Sequence, residues 1–142
     1  MSSARETSIR VANASERASS ARSTLTEITK ANVGRLAVAW SYPTRDNASY
    51  VFGPVVARNT LYVLARNSAL VALDAATGRE LWVHENLHGI APRGINYWES
   101  RDGSDRRLLY QRNNYLEALD ARTGLPVLTF GKGGAVNLRE GL

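Results

Sequence analysis

The 142-residue chain contains no cysteine, which excludes disulfides and thiolate metal sites outright. It has two histidines, His84 and His88, so a histidine-based zinc site is short of ligands. No apolar run approaches the ~20 residues that a membrane helix needs. Met1 to Arg22 is polar, rich in Ser, Ala and Arg, and lacks the apolar stretch of a secretory signal. Nor is charge of one sign segregated. The 18 Lys+Arg against 13 Asp+Glu leave +5, but cations sit beside acids, as in Arg79-Glu80 and Asp105-Arg106-Arg107. That spacing fits a solvated surface better than a nucleic-acid footprint.

What is present is ordinary for a folded protein: 44% hydrophobic and 22% charged residues. Residues 1–22 carry no period and are expected to form a disordered or weakly ordered tail. A short helical turn is expected around Thr26 to Val33, with Thr26 as its cap. From Leu36 onward, short segments rich in Val, Leu, Tyr and Trp alternate with turn residues, which reads as strands.

The strongest signal is an internal repeat. Arg66-Asn67-Ser68-Ala69-Leu70-Val71-Ala72-Leu73-Asp74-Ala75-Ala76-Thr77-Gly78 aligns without a gap on Arg112 to Gly124, at an offset of 120 − 74 = 46 residues. A partial third copy, Leu36 to Trp40, precedes them and places Trp40 ahead of Trp82 by 82 − 40 = 42. A period of about 40–45 residues with several short strands per unit marks a propeller blade. The repeat has a physical logic. Leu70 to Leu73 is a strand apolar on both faces, as stacked sheets require. Asp74 can accept N–H bonds from the turn it opens, and Gly78 supplies a positive φ. Trp82 on the next strand can bury its ring against a neighbouring blade while its N–H finds a carbonyl. Arg58-Asn59, between Val55-Val56 and Leu61-Tyr62-Val63, suits a tight hairpin. The expected fold is all-β: an incomplete β-propeller of about two four-stranded blades plus one extra strand, over residues 23–142.

Ala72-Leu73-Asp74-Ala75-Ala76-Thr77-Gly78-Arg79-Glu80-Leu81-Trp82 resembles the tryptophan-docking motif of quinoprotein propellers, Ala-x-Asp-x-x-Thr-Gly-x-x-x-Trp. The second copy at Ala118 to Gly124 matches its first half, with Leu128 in the tryptophan's place. Leu25 to Leu36 running into Val38-Ala39-Trp40, Pro92-Arg93-Gly94-Ile95-Asn96-Tyr97-Trp98, and Phe130-Gly131 through Leu142 are similar to segments of the pyrroloquinoline quinone (PQQ)-dependent glucose and alcohol dehydrogenases. The resemblance implies a parent with eight four-stranded blades, PQQ and calcium on the propeller axis, a sugar or alcohol substrate, and a periplasmic location. It also implies that the catalytic Asp and the calcium ligands lie on later blades, so that this stretch is inactive alone.

One residue is carried over from the family. Its Arg-Gly pair before an aromatic strand is credited with gripping a carboxylate of the quinone, and Arg93-Gly94 matches it. A guanidinium suits this task because it offers two parallel hydrogen bonds. Ala91 and Pro92 stand where many members have Cys. The other candidates are read as structural: Asp74 and Asp120 as turn acceptors, His88 as a loop histidine, Tyr97 and Trp98 as strand packing. An unclosed propeller leaves a sheet face and strand edges uncovered, which predicts docking of further blades or self-association. A non-catalytic scaffold built on the same repeat is the alternative.

Overall fold

A computed structural model describes residues 8–11, 28–47 and 53–140, of which 8–11, 92 and 93 enter through their backbone only. Its elements are strands, apart from a 3-10 turn at Val33–Arg35. This turn follows a bend in which the Val33 N–H donates to the Thr29 carbonyl at 2.9 Å. The helical turn expected around Thr26 to Val33 therefore lies a few residues later and is tighter, and Thr26 falls outside the described residues. No helix among the described residues is long and apolar enough to cross a membrane.

The strands are β1 (Ser8–Val11), β2 (Trp40–Pro43), β3 (Val55–Ala57), β4 (Thr60–Ala65), β5 (Ala69–Asp74), β6 (Glu80–His84), β7 (Ile90–Glu99), β8 (Arg106–Arg112), β9 (Tyr115–Asp120) and β10 (Ala135–Asn137). They form two four-stranded antiparallel meanders, β3-β4-β5-β6 and β7-β8-β9-β10, and a two-stranded pair, β1-β2. Strand β1 was not legible as such. It lies within the stretch expected to be weakly ordered, and only Ile9 and Val11 alternate in it. Its pairing supplies ladder partners that an isolated β2 would lack. The single extra strand expected beside the two blades is thus a pair.

The hairpin at Arg58-Asn59 forms as expected. Ala57 pairs with Thr60, and both loop residues have positive φ, 50° and 59°, the geometry of a two-residue turn matched to strand twist. Strand β5 is buried on both faces. Val71 and Leu73 join Tyr42, Leu61 and Val63 in a core against β2. Leu70 and Ala72 join Tyr62, Leu87, Ile95, Leu108, Tyr110 and Leu119 in a core against the second sheet. The burial of Leu70, Val71, Ala72 and Leu73 is complete; each such side chain contributes about 1.5–3 kcal/mol relative to exposure, Ala72 less.

Between the two four-stranded sheets, the strands whose backbones approach each other are β3 and β7. The sheets therefore converge at their first strands and splay toward their fourth, the geometry of blades fanning from a hub. β3 and β7 are the hub strands.

Two indoles join the layers. Trp40 Nε1 donates to the Ala75 carbonyl at 3.0 Å, and Trp82 Nε1 donates to the Ala121 carbonyl at 3.2 Å. Each ring lies on the glycine that ends the turn. A methyl at Gly78 would sit 2.5 Å from Trp40 Cε3, and one at Gly124 2.5 Å from Trp82 Cε3. Both glycines have positive φ, 73° and 72°. The Tyr62 hydroxyl adds a second donor to the Ala121 carbonyl at 3.0 Å.

The second sheet departs from the first at its fourth strand. Leu119 bridges Pro126, as Leu73 pairs with Glu80, so the repeat register holds that far. Val83 pairs with Val71, which places residue 83 + 46 = 129 opposite Glu117, yet Ala135 stands there. A detour of 135 − 129 = 6 residues interrupts the strand. Leu128, in the tryptophan's place, falls in that detour and is 69% exposed.

Candidate cofactor-binding edge at the hub

Arg93 lies in the backbone of the hub strand β7, within a bulge. Ile90 pairs with Arg112 and Ile95 with Tyr110, so β7 spends five steps where β8 spends two. The extra residues cannot all continue the ladder. Gly94, with φ 82°, ends the bulge in a conformation that side chains resist. Ile95 then turns into the inter-blade core.

The connection leading into this bulge is tied to both blades. The Leu87 N–H donates to the Ser68 carbonyl at 2.8 Å, and its side chain is buried in the inter-blade core. The Asn113 N–H donates to the Gly89 carbonyl at 3.1 Å. His88, between them, is exposed in the loop.

The acids around β7 are already engaged. Glu117 accepts from Tyr110 Oη at 2.9 Å and from Arg112 Nε and Nη2 at 2.9 and 2.8 Å. Burial, followed by this bond to Glu117, raises the Tyr110 phenol above its ordinary value. At the other end of β7, Glu99 accepts from Arg58 Nε and Nη2 at 3.1 and 2.7 Å and from Tyr97 Oη at 2.6 Å. Hydrogen bonds from Arg58 and then Tyr97 hold the Glu99 carboxyl down at about 2. Burial, then the bond to Glu99, pushes the Tyr97 phenol up to about 12. A carboxylate so engaged is a poor proton acceptor at neutral pH.

Asp74 and Asp120 occupy the turns. Asp74 Oδ1 accepts from the Ala76 and Thr77 N–H groups and the Thr77 hydroxyl at 3.0, 2.9 and 2.9 Å. Asp120 Oδ1 accepts from the Arg122 and Thr123 N–H groups at 2.7 and 3.2 Å. The Thr77 hydroxyl first of all lowers the Asp74 carboxyl. At Asp120, burial raises the carboxyl, but the bonds from Arg122 and Thr123 carry it below its ordinary value. Among the described residues, no group of three or more His, Cys, Asp or Glu could hold a metal ion.

Tyr97 packs as expected, its ring stacked 6.3 Å from that of Tyr62. Trp98 does not. It is 45% exposed on the outer face of the second sheet, with the Arg107 guanidinium 5.5 Å from its ring centroid. The bulge and its tether to Asn113 were missed by sequence reasoning. The only local trace is Gly89 and Gly94 bracketing Arg93.

Two blades fanning from a hub and joined by the Trp82 indole on an Asp-Ala-x-Thr-Gly turn, a join that Trp40 repeats between β2 and the first blade, form part of a tryptophan-docked β-propeller of the quinoprotein type. Residues 12–142 match the family described as glucose/ethanol/alcohol dehydrogenase, beta-propeller domain (PQQ); the chain belongs to this family. It is 30% identical over 145 residues to the quinoprotein glucose dehydrogenase of Gluconobacter oxydans, covering 82% of this chain and 18% of that protein. It is 31% identical over 141 residues to the glycerol dehydrogenase large subunit of the same organism, covering 84% and 19%. The crystal structure of quinohemoprotein alcohol dehydrogenase from Comamonas testosteroni superimposes with a TM-score of 0.61 at 28% identity, over 82% of this chain and 17% of that one. The chain thus spans under a fifth of the length of these relatives.

Proposed function

We propose that these residues supply two blades and part of the cofactor edge of a PQQ-dependent dehydrogenase that oxidises a sugar or an alcohol, and that they are inactive alone. The observation that carries this reading is the placement of Arg93-Gly94 in a bulge of the hub strand. The quinone is flat and carries three carboxylates. An arginine beside a glycine at the hub fits it, the one gripping a carboxylate and the other admitting close approach of the backbone. When bound, PQQ supplies the hydride acceptor for the substrate C–H.

Calcium enters the proposal only with the complete parent, and a substrate-side catalytic Asp likewise belongs to later blades. The periplasm follows from the family alone. Further blades, or a second copy, cover the exposed apolar side chains of the second blade, Leu125, Leu128 and Leu138.

Titration of the chain with PQQ, with and without calcium and read by quinone absorbance, tests the assignment. Saturable binding weakened about tenfold or more by Arg93→Ala is expected, since a charge-assisted bidentate contact contributes more than 1.4 kcal/mol. Equal behaviour of the two proteins, or no response to the quinone, overturns it.

A further inference from the structure

We infer that Asn113, on the β8–β9 hairpin, is a positioning residue for Arg93, acting through Gly89. This inference rests on the cofactor-edge reading for its functional consequence, but its structural basis is independent of it. The hairpin spans Arg112 to Tyr115, and Asn113 has φ 55°, a left-handed conformation that Asn tolerates better than most residues. That conformation brings its N–H to the Gly89 carbonyl at 3.1 Å and lays its amide over the Gly89 Cα. A methyl at Gly89 would meet Asn113 Oδ1 at 2.7 Å and Cγ at 3.3 Å. Gly89 is also at φ 85°, so the position demands glycine both for its backbone and for its neighbour.

The geometry has a direct effect on the bulge. Gly89 immediately precedes Ile90, the last residue of β7 in register before the ladder slips. Beyond it, the backbone is next fixed at Ile95 opposite Tyr110. The segment carrying Arg93 is therefore suspended between two anchors, and one of them is the Asn113–Gly89 contact. A loose anchor there frees the backbone that carries Arg93 while the blades stay folded, because the inter-blade core is built from other residues. Supporting groups of this kind set how well a binding side chain is held.

Asn113→Gly tests the inference. It keeps the left-handed backbone and the N–H bond to Gly89 and removes the side-chain amide that packs on Gly89, and Asn113→Asp serves as the isosteric control. Hydrogen exchange is measured at the Arg93 and Gly94 amides, with Val71 in the first blade as reference. We expect exchange about tenfold faster at Arg93 and Gly94 in Asn113→Gly, unchanged at Val71, and restored in Asn113→Asp. Unchanged exchange at Arg93 and Gly94, or equal acceleration at Val71, overturns the positioning role whatever the quinone does. PQQ titration then separates the two claims. Asn113→Gly should weaken binding about fivefold in the parent sequence and have no further effect in Arg93→Ala, as coupled residues behave. Arg93→Ala without effect refutes the cofactor-edge reading. Arg93→Ala with effect but additive to Asn113→Gly refutes the positioning role.

Discussion

Replacing Gly124 by alanine puts the central packing claim at risk. At φ 72° the new residue bears a left-handed backbone cost of about 1–2 kcal/mol. Its methyl would lie 2.5 Å from Trp82 Cε3 and 2.8 Å from Cδ2, so the indole must move off the turn. Displacing a packed ring costs about 1–3 kcal/mol, and losing its bond to the Ala121 carbonyl about 1 kcal/mol more. The expected destabilisation is about 3–6 kcal/mol, a large share of the roughly 5–15 kcal/mol that holds a domain folded. Gly133→Ala is the control. Its φ is 66°, but nothing lies within 4 Å of a methyl there, so only the backbone cost of about 1–2 kcal/mol applies. Thermal unfolding followed by circular dichroism should place Gly124→Ala on the order of 10 °C below Gly133→Ala, with the tryptophan emission shifted to the red. Melting of the two variants within about 2 °C of each other would refute indole docking as the joint between the blades.

Two further outcomes follow from the exposed face and from the phenols. Leu125→Ser with Leu128→Ser removes side chains 65% and 69% exposed; sedimentation should show less self-association with the melting temperature nearly unchanged, and equal association in both proteins would exclude this face. Stability against urea should change with pH at two limits set by Tyr97 and Glu99. The Tyr97 phenol, raised in the folded state to about 12, contributes stability that is full below its ordinary value of 10.0 and lost as pH rises toward 12. The Glu99 carboxyl, lowered to about 2, contributes stability present above its ordinary 4.5 and lost as pH falls toward 2. Tyr97→Phe should soften the alkaline decline and, because it removes one of the two bonds that hold Glu99 down, part of the acid one as well; an unaltered alkaline slope would remove Tyr97 from the account. Tyr42, Tyr62 and Tyr110 are raised as well, each first of all by burial, so part of the decline remains.

Much of the architecture was legible because its determinants are local. A strand apolar at every position, followed by Asp, Thr and Gly at fixed spacing, specifies a buried strand and a side-chain-capped reversal in any context. The docking of Trp82 was equally readable, since a large ring with one N–H needs an apolar wall beside a carbonyl. Trp98 was misjudged for a related reason. Strand alternation assigns it a face, but only the position of the neighbouring sheet decides whether that face is covered.

By itself, then, the sequence determined the repeat, the turn chemistry and the docking of a tryptophan on the neighbouring unit, since each depends on residues within a few positions or at one fixed offset. Tertiary structure alone decided three things: that Ser8–Val11 completes a ladder with β2, that six extra residues break the last strand before β10, and that Arg93 sits in a bulge anchored by Asn113. The reason is the same in all three. Ladder register is set by which backbone groups find partners across space, and no spacing along the chain records where a partner strand stops following.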